Sequence, residues 1–95
     1  MNTDEMKFGR ISERIIGGAI TVANALGTGF VEKVYENALA HELRKAGFAV
    51  EQQYGVVVRY DGVVVGEYTA DLLVDHSVIL ELKAVRVLDD IHRAQ

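Results

Sequence analysis

Asp61-Gly62, set between Val56-Val57-Val58-Arg59-Tyr60 and Val63-Val64-Val65, constrains this chain more than any other feature. An Asp-Gly pair accepts the positive backbone dihedrals of a two-residue type I′ turn, whose twist matches the strands it joins. β-Branched and aromatic residues on both sides favour extended backbone, so residues 56–65 read as a β-hairpin. A second loop follows. The run Val63–Ala84 reads VVVGEYTADLLVDHSVILELKA, two apolar strand patterns divided by Asp75-His76-Ser77. Three strands in an antiparallel meander result, with Gly66 marking a bulge in the second and the third running from Val78 to about Val85.

Two helices precede the strands. Ser12 suits an N-cap, Glu13 lies in the first turn, and Ile15, Ala19, Val22 and Leu26 recur at helical spacing, so the first helix is expected from Ser12 to about Leu26 after a frayed segment 1–11. Gly17-Gly18 either weakens this helix, by about 1 kcal/mol per glycine, or admits another backbone. Gly27-Thr28-Gly29 ends it. The second helix is expected from Phe30 to about Lys45, with Val31, Val34, Tyr35, Ala38, Leu39 and Leu43 as its apolar stripe and Gly47 as its stop. On a helical wheel Glu32 falls at the stripe margin, Glu36 farther towards solvent and Glu42 near the stripe centre. After the strands, Leu88, Ile91 and His92 give the pattern of a third helix start, with Asp89 and Asp90 in its first turn. The fold class is α+β, an α/β sandwich of two helices, a three-stranded meander and the beginning of a following helix.

The chemistry concentrates on the last two strands. With Asp75-His76-Ser77 as the loop, Val74 pairs with Val78 and Asp71 falls opposite Glu81. Side chains alternate along a strand, so Asp71, Glu81 and Lys83 share a face. A two-residue loop would move Asp71 to the other face. Two carboxylates about 5 Å apart repel. A divalent cation turns that liability into a site, with Lys83 as a neighbouring point charge; Lys83 alone neutralising a solvated acidic face is the simpler account. Leu73 and Ile79 accompany the acids while Leu72, Val74, Leu80 and Leu82 face the other way, so both faces are expected to be covered.

Composition narrows the rest. A chain of 95 residues makes one small domain, assigned to 12–95, and such a domain buries only about 60–65% of its unfolded surface. The absence of cysteine excludes disulfides, thiolate metal sites and a thiol nucleophile. No signal-peptide pattern or membrane-length apolar run occurs, so a cytoplasmic protein without a membrane partner is expected. Fourteen acidic against ten basic residues, net charge −4, argue against coating nucleic acid through a broad basic surface, but not against a nuclease with bound cations. His41, His76 and His92 lack zinc-ligand spacing, and Tyr54, Tyr60 and Tyr68 suit cross-strand packing as well as base stacking. Ser12 and Ser77 have cap and turn explanations, so no nucleophilic triad is legible.

Several separated segments carry a resemblance. Gly29-Phe30-Val31-Glu32-Lys33-Val34-Tyr35, then Val65–Val74, then Leu80-Glu81-Leu82-Lys83-Ala84-Val85 and Ile91-His92-Arg93-Ala94-Gln95, in that order, resemble the GxxExxY family of the PD-(D/E)XK nuclease-like superfamily. Ala23 and Thr28 depart from it where histidine and proline are common. The resemblance implies a restriction-endonuclease-like core that here lacks its last strand, leaving a domain incomplete at its C-terminus, by truncation or as a fragment. It implies a first acid at Asp71, a (D/E)XK motif at Glu81-Leu82-Lys83, and a helix glutamate, taken to be Glu32. Asp71, Glu81, the main-chain carbonyl of Leu82 and Glu32 would hold magnesium, with manganese as a substitute. Lys83 would orient water or stabilise charge, and Gln95 and Tyr35 are accessory candidates. Nucleic acid is then the expected partner. Two readings stand: a metal-dependent nuclease-like domain, or a non-catalytic binding or assembly module or inactive fragment on that scaffold. An exposed sheet edge would favour a homo-oligomer in either.

Overall fold

A computed structural model describes residues 3–82. Its elements are helix α1 (Thr3–Leu26), helix α2 (Glu32–Lys45) and strands β1 (Val50–Tyr60), β2 (Val63–Val74) and β3 (Val78–Leu80). The strands form one antiparallel sheet in the order β1-β2-β3. The α+β meander expected from sequence is therefore the fold. The expected helix from Leu88, and with it Lys83 and Gln95, lies outside the described residues.

Both turns take the predicted form. Asp61 and Gly62 have φ of 54° and 77°, and Tyr60 pairs with Val63 across them. Asp75, His76 and Ser77 form the second loop, and Val74 pairs with Val78. Asp75 and His76 both adopt positive φ there. The Asp75 carboxylate also accepts the Ala49 amide at 2.8 Å, while the Asp75 amide donates to the Ala49 carbonyl at 2.7 Å, tying the loop to the start of β1. The bulge sits beside Gly66: Val58 pairs with Gly66 but Arg59 with Val64, leaving Val65 as the extra residue.

Helix ends differ in how well sequence marked them. Gly47 (φ 97°) donates to the Arg44 carbonyl and Phe48 to the Leu43 carbonyl, a Schellman motif that stops α2 where glycine predicted it. Helix α1, however, begins at Thr3, well before Ser12. Ser12 is thus a residue inside the helix rather than its cap, and residues 3–10 are helical rather than frayed. Helix α2 starts at Glu32 after a Val31 that offers no side-chain cap.

The core lies between the helices and one end of the sheet. Ile11, Ile15 and Val22 of α1, Leu39, Ala40 and Leu43 of α2, and Leu72 and Val74 of β2 form it. Leu43, Leu72 and Val74 are the largest fully buried side chains, each contributing about 1.5–3 kcal/mol through apolar burial. At Gly18 it is side chains of α2 rather than another backbone that come close: a Cβ there would lie 3.3 Å from Leu39 Cδ1, whereas Gly17 has nothing within 4 Å. Ala19 and Val31, expected in the stripes, are exposed.

Candidate functional site

The hairpin register determines what can meet Asp71. Gln52 pairs with Leu72 and Tyr54 with Ala70, so Gln53 is opposite Asp71 by count. Gln53 does not continue the strand regularly. Its φ is 54°, a left-handed conformation that costs a residue with a Cβ about 1–2 kcal/mol. From this kink its side-chain amide donates to Glu36 Oε1 at 2.6 Å and lies 3.5 Å from Asp71 Oδ1. Two carboxylates are thereby joined through one amide.

Both acids are removed from solvent, Glu36 with 2% and Asp71 with 4% of its surface accessible. A buried carboxylate requires partners, and both have them. Glu36 Oε2 accepts from Lys33 Nζ at 3.0 Å and from Gln52 Nε2 at 2.7 Å. Gln52 is itself oriented: Arg44 donates to its oxygen at 3.3 Å and to the Val50 carbonyl at 2.9 Å, which turns the Gln52 amide towards Glu36 and Asn37. Asp71 Oδ2 accepts the Leu82 amide at 2.7 Å. No buried side-chain nitrogen or oxygen among the described residues is left without a partner. Burial alone raises the Glu36 pKa. Hydrogen bonds from Gln52, Lys33 and Gln53, with the Lys33 charge, outweigh it and hold Glu36 below the ordinary glutamate range.

The sequence-derived candidates divide accordingly. Asp71 is at the centre. The paired ladder ends at Leu72–Leu80, one step before Asp71 would oppose Glu81, and Asp71 instead captures the amide of Leu82. Strand β3 is Val78–Leu80, Glu81 and Leu82 are not part of it, and the rest of the expected strand, to Val85, lies outside the described residues. Glu81 is exposed. The face it shares with Ile79 is not fully covered, since Ile79 is 42% exposed. Glu32 is partly buried in the first turn of α2, and its carboxylate makes no hydrogen bond or ion pair with another described residue. The helix acid linked to Asp71 is Glu36, which the wheel had turned towards solvent. A signal for it existed. Glu36, Leu39, Ala40 and Leu43, the buried set of α2, follow the i, i+3, i+4, i+7 pattern of a buried face. Tyr35 braces the α1–α2 turn: its hydroxyl donates to the Gly27 carbonyl at 2.8 Å and accepts the Phe30 amide at 3.3 Å. Its ring meets Phe30 edge-on, centroids 6.2 Å apart.

No group of three or more histidine, cysteine or acidic side chains lies close enough to share a metal ion among the described residues. The pair Glu36 and Asp71 does fit a hard divalent cation in donor type, because carboxylate oxygens are its preferred ligands and one oxygen of each acid converges on the Gln53 amide. Among the described residues no helix is long and apolar enough to cross a membrane.

No curated protein and no solved structure gives a significant match. A family model does, over residues 9–95, a span that takes in most of α1, all of α2, the meander, the buried Asp71 and the Glu81-Leu82-Lys83 segment that its carboxylate reaches. By that match the chain belongs to the PD-(D/E)XK nuclease superfamily.

Proposed function

We propose that this domain, of the GxxExxY type, hydrolyses phosphodiester bonds in nucleic acid with the help of magnesium, and that its acids are Asp71, Glu81 and Glu36. The observation that carries this reading is the link from buried Glu36 through Gln53 to buried Asp71, with Asp71 hydrogen-bonded to the middle residue of Glu81-Leu82-Lys83. Glu36 takes the role that the family resemblance placed on Glu32. When bound, magnesium supplies charge stabilisation and a water acidified enough to attack phosphorus. Asp71 and Glu36 would hold the ion through Oδ1 and Oε1, the oxygens that share the Gln53 amide. Glu81 and the Leu82 carbonyl would complete the set from the neighbouring segment. The Lys83 ammonium stabilises the charge developing on the phosphate oxygens. The surrounding apolar core keeps Glu36 and Asp71 in place and strengthens their electrostatic pull.

The test is cleavage of plasmid and oligonucleotide substrates with and without magnesium. Asp71→Ala and Glu81→Ala should each lower the rate by about a hundredfold or more while circular dichroism stays that of the wild type. Undiminished cleavage by both variants would sink the proposal.

A second reading has its own observation. Val57, Val58, Tyr60, Val63, Val64, Val65 and Tyr68 are all exposed on the far half of the hairpin. A surface of this kind suits a non-catalytic binding or assembly module, including a homo-oligomer. Sedimentation that stays monomeric from micromolar to millimolar protein would exclude the homo-oligomer.

A further inference from the structure

The four oxygens of Glu36 and Asp71 are not held alike. Glu36 Oε2 is fixed by Lys33 and Gln52, and Asp71 Oδ2 by the main chain at Leu82. Glu36 Oε1 and Asp71 Oδ1 have a single donor between them among the described residues, the Gln53 amide. Only the NH2 end of that side chain can face two carboxylate oxygens, since its own oxygen would be repelled by both. The amide NH2 group, whose hydrogens carry partial positive charge, thus occupies the point on which one oxygen from each acid converges.

The two glutamines differ in freedom as well. Gln52 is half-buried, gripped by Arg44 through its oxygen and by Glu36 and Asn37 through its nitrogen. Gln53 is exposed, and its oxygen has no hydrogen bond with another described residue. Solvent is available for its side chain to swing into. The two carboxylates it links are almost wholly buried.

We propose that the Gln53 amide is a displaceable stand-in for a cation: it bridges Glu36 and Asp71 in the metal-free protein and swings outward when a divalent ion takes its place. Gln53 is then a positioning residue that sets cation affinity by competition. The proposal rests on the reading of Glu36 and Asp71 as a cation-binding pair, which the experiment tests separately.

Manganese and magnesium chloride are titrated calorimetrically into wild type, Gln53→Ala and Gln53→Lys, and each is melted with and without the ion. Gln53→Ala removes the competitor but keeps both acids. It should bind manganese about tenfold more tightly than wild type, melt lower without the ion and recover with it. Gln53→Lys tethers a permanent cation between the acids, so its manganese binding should vanish and its melting should ignore the ion. A merely structural Gln53 would lower melting in the alanine variant without raising affinity. Equal or weaker binding by Gln53→Ala, with wild type binding normally, overturns the stand-in and leaves the acidic pair intact. Absence of binding by wild type and Gln53→Ala alike overturns both. Wild type needs no substitution for the second measurement: in a 1H–15N spectrum, saturating magnesium should shift the Gln53 side-chain NH2 pair far more than that of Gln52. An unmoved Gln53 pair in a protein that binds magnesium would end the proposal.

Discussion

One strand behaves in two opposite ways. From Ala70 to Val74 every residue of β2 is buried, whereas Val63, Val64 and Val65 on the same strand are exposed. Residue type does not account for the contrast, since both stretches are apolar and both are paired with β1. Cover does. Leu72 and Val74 lie under α1 and α2, in contact with the Ile11–Leu43 cluster, while the far half of the hairpin stands clear of that cluster. The lesson is that β-propensity and turn chemistry build the ladder, and helices laid over part of it decide where burial begins. The acids lie at that boundary. Asp71 is just inside the covered stretch, and the exposed Gln53 opposite it is just outside.

That contrast can be broken at its strongest point. Leu72→Ala empties a fully buried site and should cost about 2–5 kcal/mol in denaturant unfolding. Val64→Thr on the exposed half should fall within about 0.5 kcal/mol of wild type. Equal effects would mean that the two halves fold under the same cover after all. A smaller effect belongs to the turn. Gly62→Ala places a Cβ at φ 77° and should cost about 1–2 kcal/mol through backbone strain alone, since nothing lies near that position. If its unfolding midpoint matches wild type, the exposed hairpin contributes little to the cooperative unit.

The acid side of the boundary gives the subtlest effect, read from pH. Glu36 has a folded pKa below the ordinary glutamate range. Its ionised form therefore stabilises the fold at pH values above that range. The contribution disappears as pH falls through the ordinary value towards the lowered one. Thermal melts from neutral to acidic pH should show a loss in wild type that Glu36→Gln lacks over the same window. Parallel pH profiles would remove Glu36 as a source of acid sensitivity.

The sequence disclosed the fold unevenly, for physical reasons. Turns were legible because their chemistry is local: Asp61-Gly62, Asp75-His76-Ser77 and Gly47 each demand a backbone that few other residues accept. The β2–β3 register was legible because counting from a three-residue loop is arithmetic, although the ladder ends at Leu72–Leu80, one step short of the counted Asp71–Glu81 pair. The start of α1 was not, since Ser12 resembles a cap whether or not the helix has already begun. Glu36 was missed because a wheel built on the apolar residues ranks acids by angle alone. The partner that makes burial of Glu36 tolerable, Gln53, comes from another element and arrives through a left-handed kink that no periodicity announces.

The bulge at Val65 has a consequence for how the hairpin assembles. Val56-Val57-Val58 and Val63-Val64-Val65 are interchangeable triplets, and nothing in their side chains distinguishes one alignment from its neighbours. An extra residue at Val65 on one side and the irregular Gln53 on the other bracket the regular stretch from Tyr54 to Val58 like the teeth of a key. Sliding either strand by one position would set the bulge against the wrong partner and turn Asp71 out of the pocket it shares with Glu36. The defects in this ladder therefore give its repetitive tip a single alignment.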